Sequence, residues 1–201
     1  PHGDARRRWD TVDFLRTLCE KLNETLRLEQ VPLEVMLGME NPVELNIMER
    51  VEAGSALSLN GSAYILMELP FNQLPLYWEE VLFQIQLAGL RPIIVHPERQ
   101  EQIQGDPDIV SRAVDRGVLI QVTSGSIAGG FGPAARKSAE TLLKRDLVHI
   151  IASDCHRPEG HRGPDMNDGF AAAAKLVGRD KAVKMACETP MAVLQGLELP
   201  D

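Results

Sequence analysis

From Thr11 to Leu28 the apolar residues Val12, Leu15, Leu18, Leu22 and Leu26 recur at three- and four-residue intervals, the spacing that lines one face of a helix. Beyond Pro32 the period changes. Leu33 to Met39 is short, alternating and apolar, and predicts a strand ending at Glu40. A helix is predicted over 44–53, a second strand over 64–69, and a helix over 76–87 that Gly89 stops. The alternation then repeats, with a strand over 92–95, a helix over 106–116 opened by Asp106-Pro107, a strand over 118–122, a helix over 133–144 and a strand over 148–152. Helices over 167–176 and 180–187, and a last one opened by Thr189-Pro190, complete the chain.

Five strands each followed by a helix predict an α/β fold with a parallel sheet and right-handed crossovers, either an open doubly wound sheet or a barrel. The pattern alone does not choose between them. The 201 residues read as a single domain, large enough to bury roughly 70% of the surface of the chain without staples. No glycine-rich phosphate loop follows any strand, which argues against nucleotide binding. A formal charge of −8 argues against nucleic acid or an anionic membrane as the main partner. No apolar run reaches the roughly 18 residues needed for membrane insertion. Cys19, Cys155 and Cys187 are far apart, so neither a disulfide framework nor a cysteine-based zinc site is suggested, and a reducing cytoplasm is the expected location.

The positions of the polar residues carry the chemistry. Glu40, His96 and the Asp154/His156 pair each fall just beyond a predicted strand end, and in a parallel fold those ends share the face where ligands bind. Glu40 alone also suits a helix cap, and His96 also suits a partly buried histidine satisfied by a backbone carbonyl. Asp154-Cys155-His156 is more specific, since alternate side chains on an extended segment point the same way and offer a carboxylate and an imidazole to a cation. Arg99 and Arg162 could supply planar forks for phosphate oxygens or be solvated surface charges. His149 sits inside a strand pattern and reads as structural. A cysteine phosphatase loop is disfavoured, because six residues rather than five separate Cys155 from Arg162 and Pro158 lacks an N–H.

At these residues the sequence resembles the polymerase-and-histidinol-phosphatase (PHP) superfamily, and within it the bacterial manganese-dependent tyrosine-protein phosphatases of capsular and exopolysaccharide synthesis. The two strongest blocks are Ile94-Val95-His96-Pro97-Glu98-Arg99 and Ile151-Ala152-Ser153-Asp154-Cys155-His156. Weaker ones include Pro1-His2, Gly38-Met39-Glu40 and Gly160 to Pro164. The resemblance implies a distorted (β/α)7 barrel with up to three metal ions, usually manganese and in relatives iron or zinc. It implies His2, Glu40, His96, Asp154 and His156 as ligands, with Glu40 bridging two metals, Asp154 on the first, His96 on the second, and His2 and His156 on the third. Arg99 and Arg162 are then the phosphate clamp, and a metal-activated water attacks phosphorus in line. The implied substrate is a phosphotyrosine protein such as a bacterial tyrosine autokinase.

The family pattern opens with H-x-H on a first strand, and this chain has no H-x-H. The expectation is therefore an N-terminally incomplete domain lacking that strand, with weak metal binding and feeble activity compared with a longer chain. Two other readings stand beside the tyrosine phosphatase. One is a histidinol-phosphate phosphatase with the same metals, and the other is an inactive barrel that binds a tyrosine kinase.

Overall fold

The computed structural model describes residues 11–160 and 162–199. Helix α1 (Val12–Leu28) is capped by Thr11, whose hydroxyl accepts the Phe14 N–H at 3.4 Å. The elements that follow are β1 (Glu40–Pro42), α2 (Ile47–Glu52), β2 (Tyr64–Glu68), α3 (Trp78–Leu87), β3 (Arg91–Val95), α4 (Glu101–Gly105) and α5 (Asp108–Val114). Then come β4 (Leu119–Thr123), α6 (Ser124–Ala128), α7 (Pro133–Lys144), β5 (Ile150–Ala152), α8 (Asn167–Val177), α9 (Arg179–Val183), a π-helical turn over Lys184–Glu188 and α10 (Thr189–Leu194). Helix α7 begins with proline in its first turn, where the missing N–H costs nothing, and spans the residues the sequence predicts for it.

The five strands are parallel and lie in chain order, β1-β2-β3-β4-β5. Consecutive order with crossovers of one hand puts the connecting helices on one face of the sheet. The packing agrees. Ile65, Met67, Ile94, Ile120, Val122 and Ile151 point to that face and share one core with residues of α3, α5, α7 and α8, among them Ile85, Val110, Leu142 and Ala173. Each fully buried isoleucine there contributes roughly 2 kcal/mol. Helix α8 comes close to α6 because residue 169 is glycine: a Cβ there would overlap the backbone oxygen and the hydroxyl of Ser124.

The alternate residues form the other face. Tyr64, Ile93, Ile150 and Val193 make a small second cluster, joined by Leu66, Leu119 and Ala152. Glu40 is in register with Leu66, so it lies on this same face, and Glu68 lies two residues beyond Leu66 at the end of β2. The second face is therefore apolar at one end of the strands and acidic at the other.

One predicted element is corrected. Residues 33–39 form no strand, and β1 starts at Glu40 instead of ending there. The reason is Asn23 on α1, whose Oδ1 accepts the Val35 N–H at 2.8 Å while its Nδ2 donates to the Val35 carbonyl at 2.7 Å. One side-chain amide thus meets the backbone groups a neighbouring strand would have met. Of the seven strands of the expected barrel, five occur among the described residues.

Candidate active site

Strand β3 delivers His96 in the left-handed region, at φ 38° and ψ 45°, immediately before Pro97. A non-glycine residue is uncommon there, and a following proline disfavours helical conformations further. Four contacts hold the residue in place. Its N–H donates to the Gln121 carbonyl at 2.8 Å, its carbonyl accepts the Arg99 N–H at 3.1 Å, its ring stacks on Phe71 at 5.5 Å, and Nε2 lies 2.8 Å from Glu40 Oε1. Strain kept by so many contacts, roughly 1–3 kcal/mol, is characteristic of functional sites. Asp154 is also left-handed, with φ 50°.

His96 Nε2 is also 3.6 Å from Glu68 Oε1. The ligand atoms of Glu40, Glu68 and His96 all lie within 4.8 Å of one another. Two carboxylates and one imidazole converging this closely suit a divalent cation of the manganese, iron or zinc type. In the sequence Glu68 carries no motif and is only a carboxylate that ends an otherwise apolar strand.

Asp154 anchors the second half of the site. Arg99 Nη1 donates to Asp154 Oδ2 at 2.7 Å, and Arg162 Nη2 is 3.6 Å from the same oxygen. His156 Nδ1 lies 3.4 Å from Asp154 Oδ1, 2.8 Å from the Asp154 carbonyl oxygen and 2.8 Å from Arg162 Nη2. The structure therefore brings Glu40 to His96, and Arg99, Arg162 and His156 to Asp154. Phe71 contacts both His96 and Arg99 and so connects the two groups. His2 lies outside the described residues. Cys155 is exposed, with Sγ 3.3 Å from the Arg157 carbonyl.

Glu98 is fully buried beneath this site and accepts the Thr123 N–H at 3.1 Å, which ties the loop after β3 to the end of β4. Burial pushes its carboxyl above the ordinary range, against the opposing pull of Ser126, His96 and the Thr123 N–H. At the other end of the strands lies a cleft of about 810 Å³ lined by Tyr64, Arg91, His149 and Lys184, among others. Its Arg91 is paired with Glu198 at 2.6 Å, and His149 is structural there, its Nδ1 accepting the Ile120 N–H at 3.1 Å.

Residues 1–195 match the family described as capsular polysaccharide synthesis, CpsB/CapC. The chain belongs to that family. Among CpsB/CapC relatives, it is 37% identical over 142 residues to the tyrosine-protein phosphatase YwqE of Bacillus subtilis, covering 71% of this chain and 56% of YwqE. It is 29% identical over 167 residues to the tyrosine-protein phosphatase CpsB of Streptococcus pneumoniae, covering 81% of this chain and 68% of that one. The chain thus spans little more than half of YwqE. The fold matches, with a TM-score of 0.93 and 30% identity over 100% of this chain and 80% of the other, a crystal structure from work on YwqE and CpsB, described as unique metal-dependent tyrosine phosphatases. No described helix is long and apolar enough to cross a membrane.

Proposed function

We propose that this CpsB/CapC chain is a metal-dependent phosphatase that hydrolyses phosphotyrosine on proteins, a bacterial tyrosine autokinase among them, and so regulates capsular or exopolysaccharide synthesis. The observation that carries the reading is the meeting of Glu40, Glu68 and His96, joined through the Phe71 ring to the cationic pair around Asp154. The relatives' names and the metal dependence described for their structures support it. The chain-order parallel sheet, acidic at one end of its second face, supports a PHP-type barrel as the setting. Free cysteines at positions 19, 155 and 187 fit a cytoplasmic setting.

Glu40, Glu68 and His96 would hold a divalent cation, manganese by the family resemblance, with Asp154 and His156 as further donors. Such an ion supplies Lewis-acid polarisation of a phosphoryl oxygen and an activated water. The residues of the chain do the rest. A phosphotyrosine dianion needs its charge neutralised before a nucleophile can approach, and Arg99 and Arg162 present planar forks beside Asp154 for its oxygens. The leaving phenolate is stable enough that no strong acid is required from the protein. Cys155 takes no part.

The test is phosphate release from a phosphotyrosine peptide, with manganese and with a chelator. Release that rises with manganese and stops in chelator is expected. Release that persists in chelator, or no release with manganese, would overturn the reading.

A further inference from the structure

Arg99 Cζ lies over two aromatic rings at once, 5.0 Å from the centroid of Phe71 and 4.7 Å from that of Phe131. The two rings come from separate loops, one after β2 and one after α6. The Phe71 backbone is anchored, since its carbonyl accepts the Glu101 N–H at 2.8 Å. Phe71 also stacks on His96, with ring planes 21° apart.

We propose that Phe71 and Phe131 are positioning residues that fix the Arg99 guanidinium for a phosphate dianion, and that Phe71 also sets the spacing between Arg99 and His96. The proposal rests on the phosphatase reading above. An aromatic face meets a guanidinium through its flat side and consumes none of its five in-plane N–H donors. An arginine held only by carboxylates would instead spend those donors on its own protein. Here Asp154 receives one of them, and the stacked rings hold the side chain while the remaining edge stays available to phosphoryl oxygens. Because Phe71 touches both His96 and Arg99, a shift of its ring moves the phosphate clamp relative to the carboxylate and imidazole cluster.

The experiment is calorimetric titration of the manganese-loaded chain with inorganic phosphate, alongside KM and kcat for phenyl phosphate. The variants are Phe71→Leu, Phe131→Leu and Phe71→Tyr. Each leucine variant keeps apolar bulk but loses the π face, and is expected to weaken phosphate binding by about five- to tenfold, with a matching rise in KM. Phe71→Tyr is expected to bind phosphate as the native chain does. Phe71→Leu should lower kcat more than Phe131→Leu does, because the Phe71 ring also seats His96. Native phosphate affinity in both leucine variants overturns the proposal, as does loss of affinity in Phe71→Tyr equal to that in Phe71→Leu. Should Phe71→Leu fail to fold, Phe131→Leu decides the matter alone. A native chain that binds phosphate without hydrolysing phenyl phosphate sinks the phosphatase reading, while the titration still decides this one. A native chain that binds no phosphate overturns the proposal.

Discussion

Arg99 and Asp154, 55 residues apart in sequence, form the ion pair at the centre of the second half of the site, with Nη1 2.7 Å from Oδ2 and both side chains largely buried. A pair so placed serves two ends. It neutralises a carboxylate that would otherwise be costly to bury, and it fixes one edge of the Arg99 guanidinium fork against Asp154.

Replacing Arg99 with lysine keeps the charge and removes the fork. Lysine is a point charge on a flexible stem and cannot bridge two oxygens in one plane. The expected result is a fall in kcat/KM for a phosphotyrosine peptide of roughly 10- to 100-fold, equivalent to about 1.4–2.7 kcal/mol of transition-state stabilisation. Steady-state kinetics on Arg99→Lys checks this, and unchanged kcat/KM would remove Arg99 from the phosphate clamp.

Cys155 lies between Asp154 and His156 but donates only to a backbone carbonyl. Cys155→Ser should retain hydrolysis within about twofold and leave the chelator sensitivity intact. A loss of activity by orders of magnitude would point to covalent catalysis.

His149 gives the fold a pH dependence whose sign is fixed. Burial, the leading cause, holds its ring below the ordinary histidine range. Lys184 adds to this, while Asp146 and the Leu147 backbone oppose it. Nδ1 accepts the Ile120 N–H, a role open only to the neutral ring. The unfolded chain takes up a proton near pH ~6.5 and the folded chain does not, so stability present at neutral pH is lost as pH falls below that value, by at most about 1.4 kcal/mol per pH unit. The loss levels off once the folded pKa is passed. Other groups titrate in the same window, so the quantity to read is the difference between the native chain and His149→Asn, whose side-chain oxygen can still accept the N–H. Melting curves at pH 7.5 and 5.5 should show the native chain losing more stability than the variant, and parallel losses would contradict the assignment.

Gly169 is required by the approach of α8 to α6. Gly169→Ala would drive a methyl group into the Ser124 backbone and hydroxyl, and overpacking of this kind typically costs about 1–3 kcal/mol. Helix propensity alone would favour alanine there by about 1 kcal/mol. A lower denaturant midpoint for the variant means the clash wins, and a higher one would mean that α8 can move away.

The parts of this account that were legible in the sequence are those that local chemistry decides. Proline and glycine punctuation places α7 over Pro133–Lys144, and the apolar run before His96 places that residue just past β3. What the sequence did not reveal depends on contacts between distant residues. Leu33 to Met39 alternates as a strand would, but the backbone of Val35 is satisfied by Asn23 on α1. Glu68 ends an apolar strand without any motif of its own, and only its nearness to His96 and Glu40 marks it as a ligand candidate. Phe71 and Phe131 sit in loops, where aromatic residues have no periodicity to reveal what they touch.

Glu68→Gln is the sharpest single change for the proposed metal site, because it removes one charge and leaves the volume nearly unchanged. Manganese affinity, measured by titration on the native chain and on this variant at equal pH and salt, is predicted to fall by at least about tenfold, with a parallel loss of phosphotyrosine hydrolysis and an unchanged melting temperature in the absence of metal. Equal manganese affinity in the two proteins would show that Glu40, Glu68 and His96 do not form the metal site.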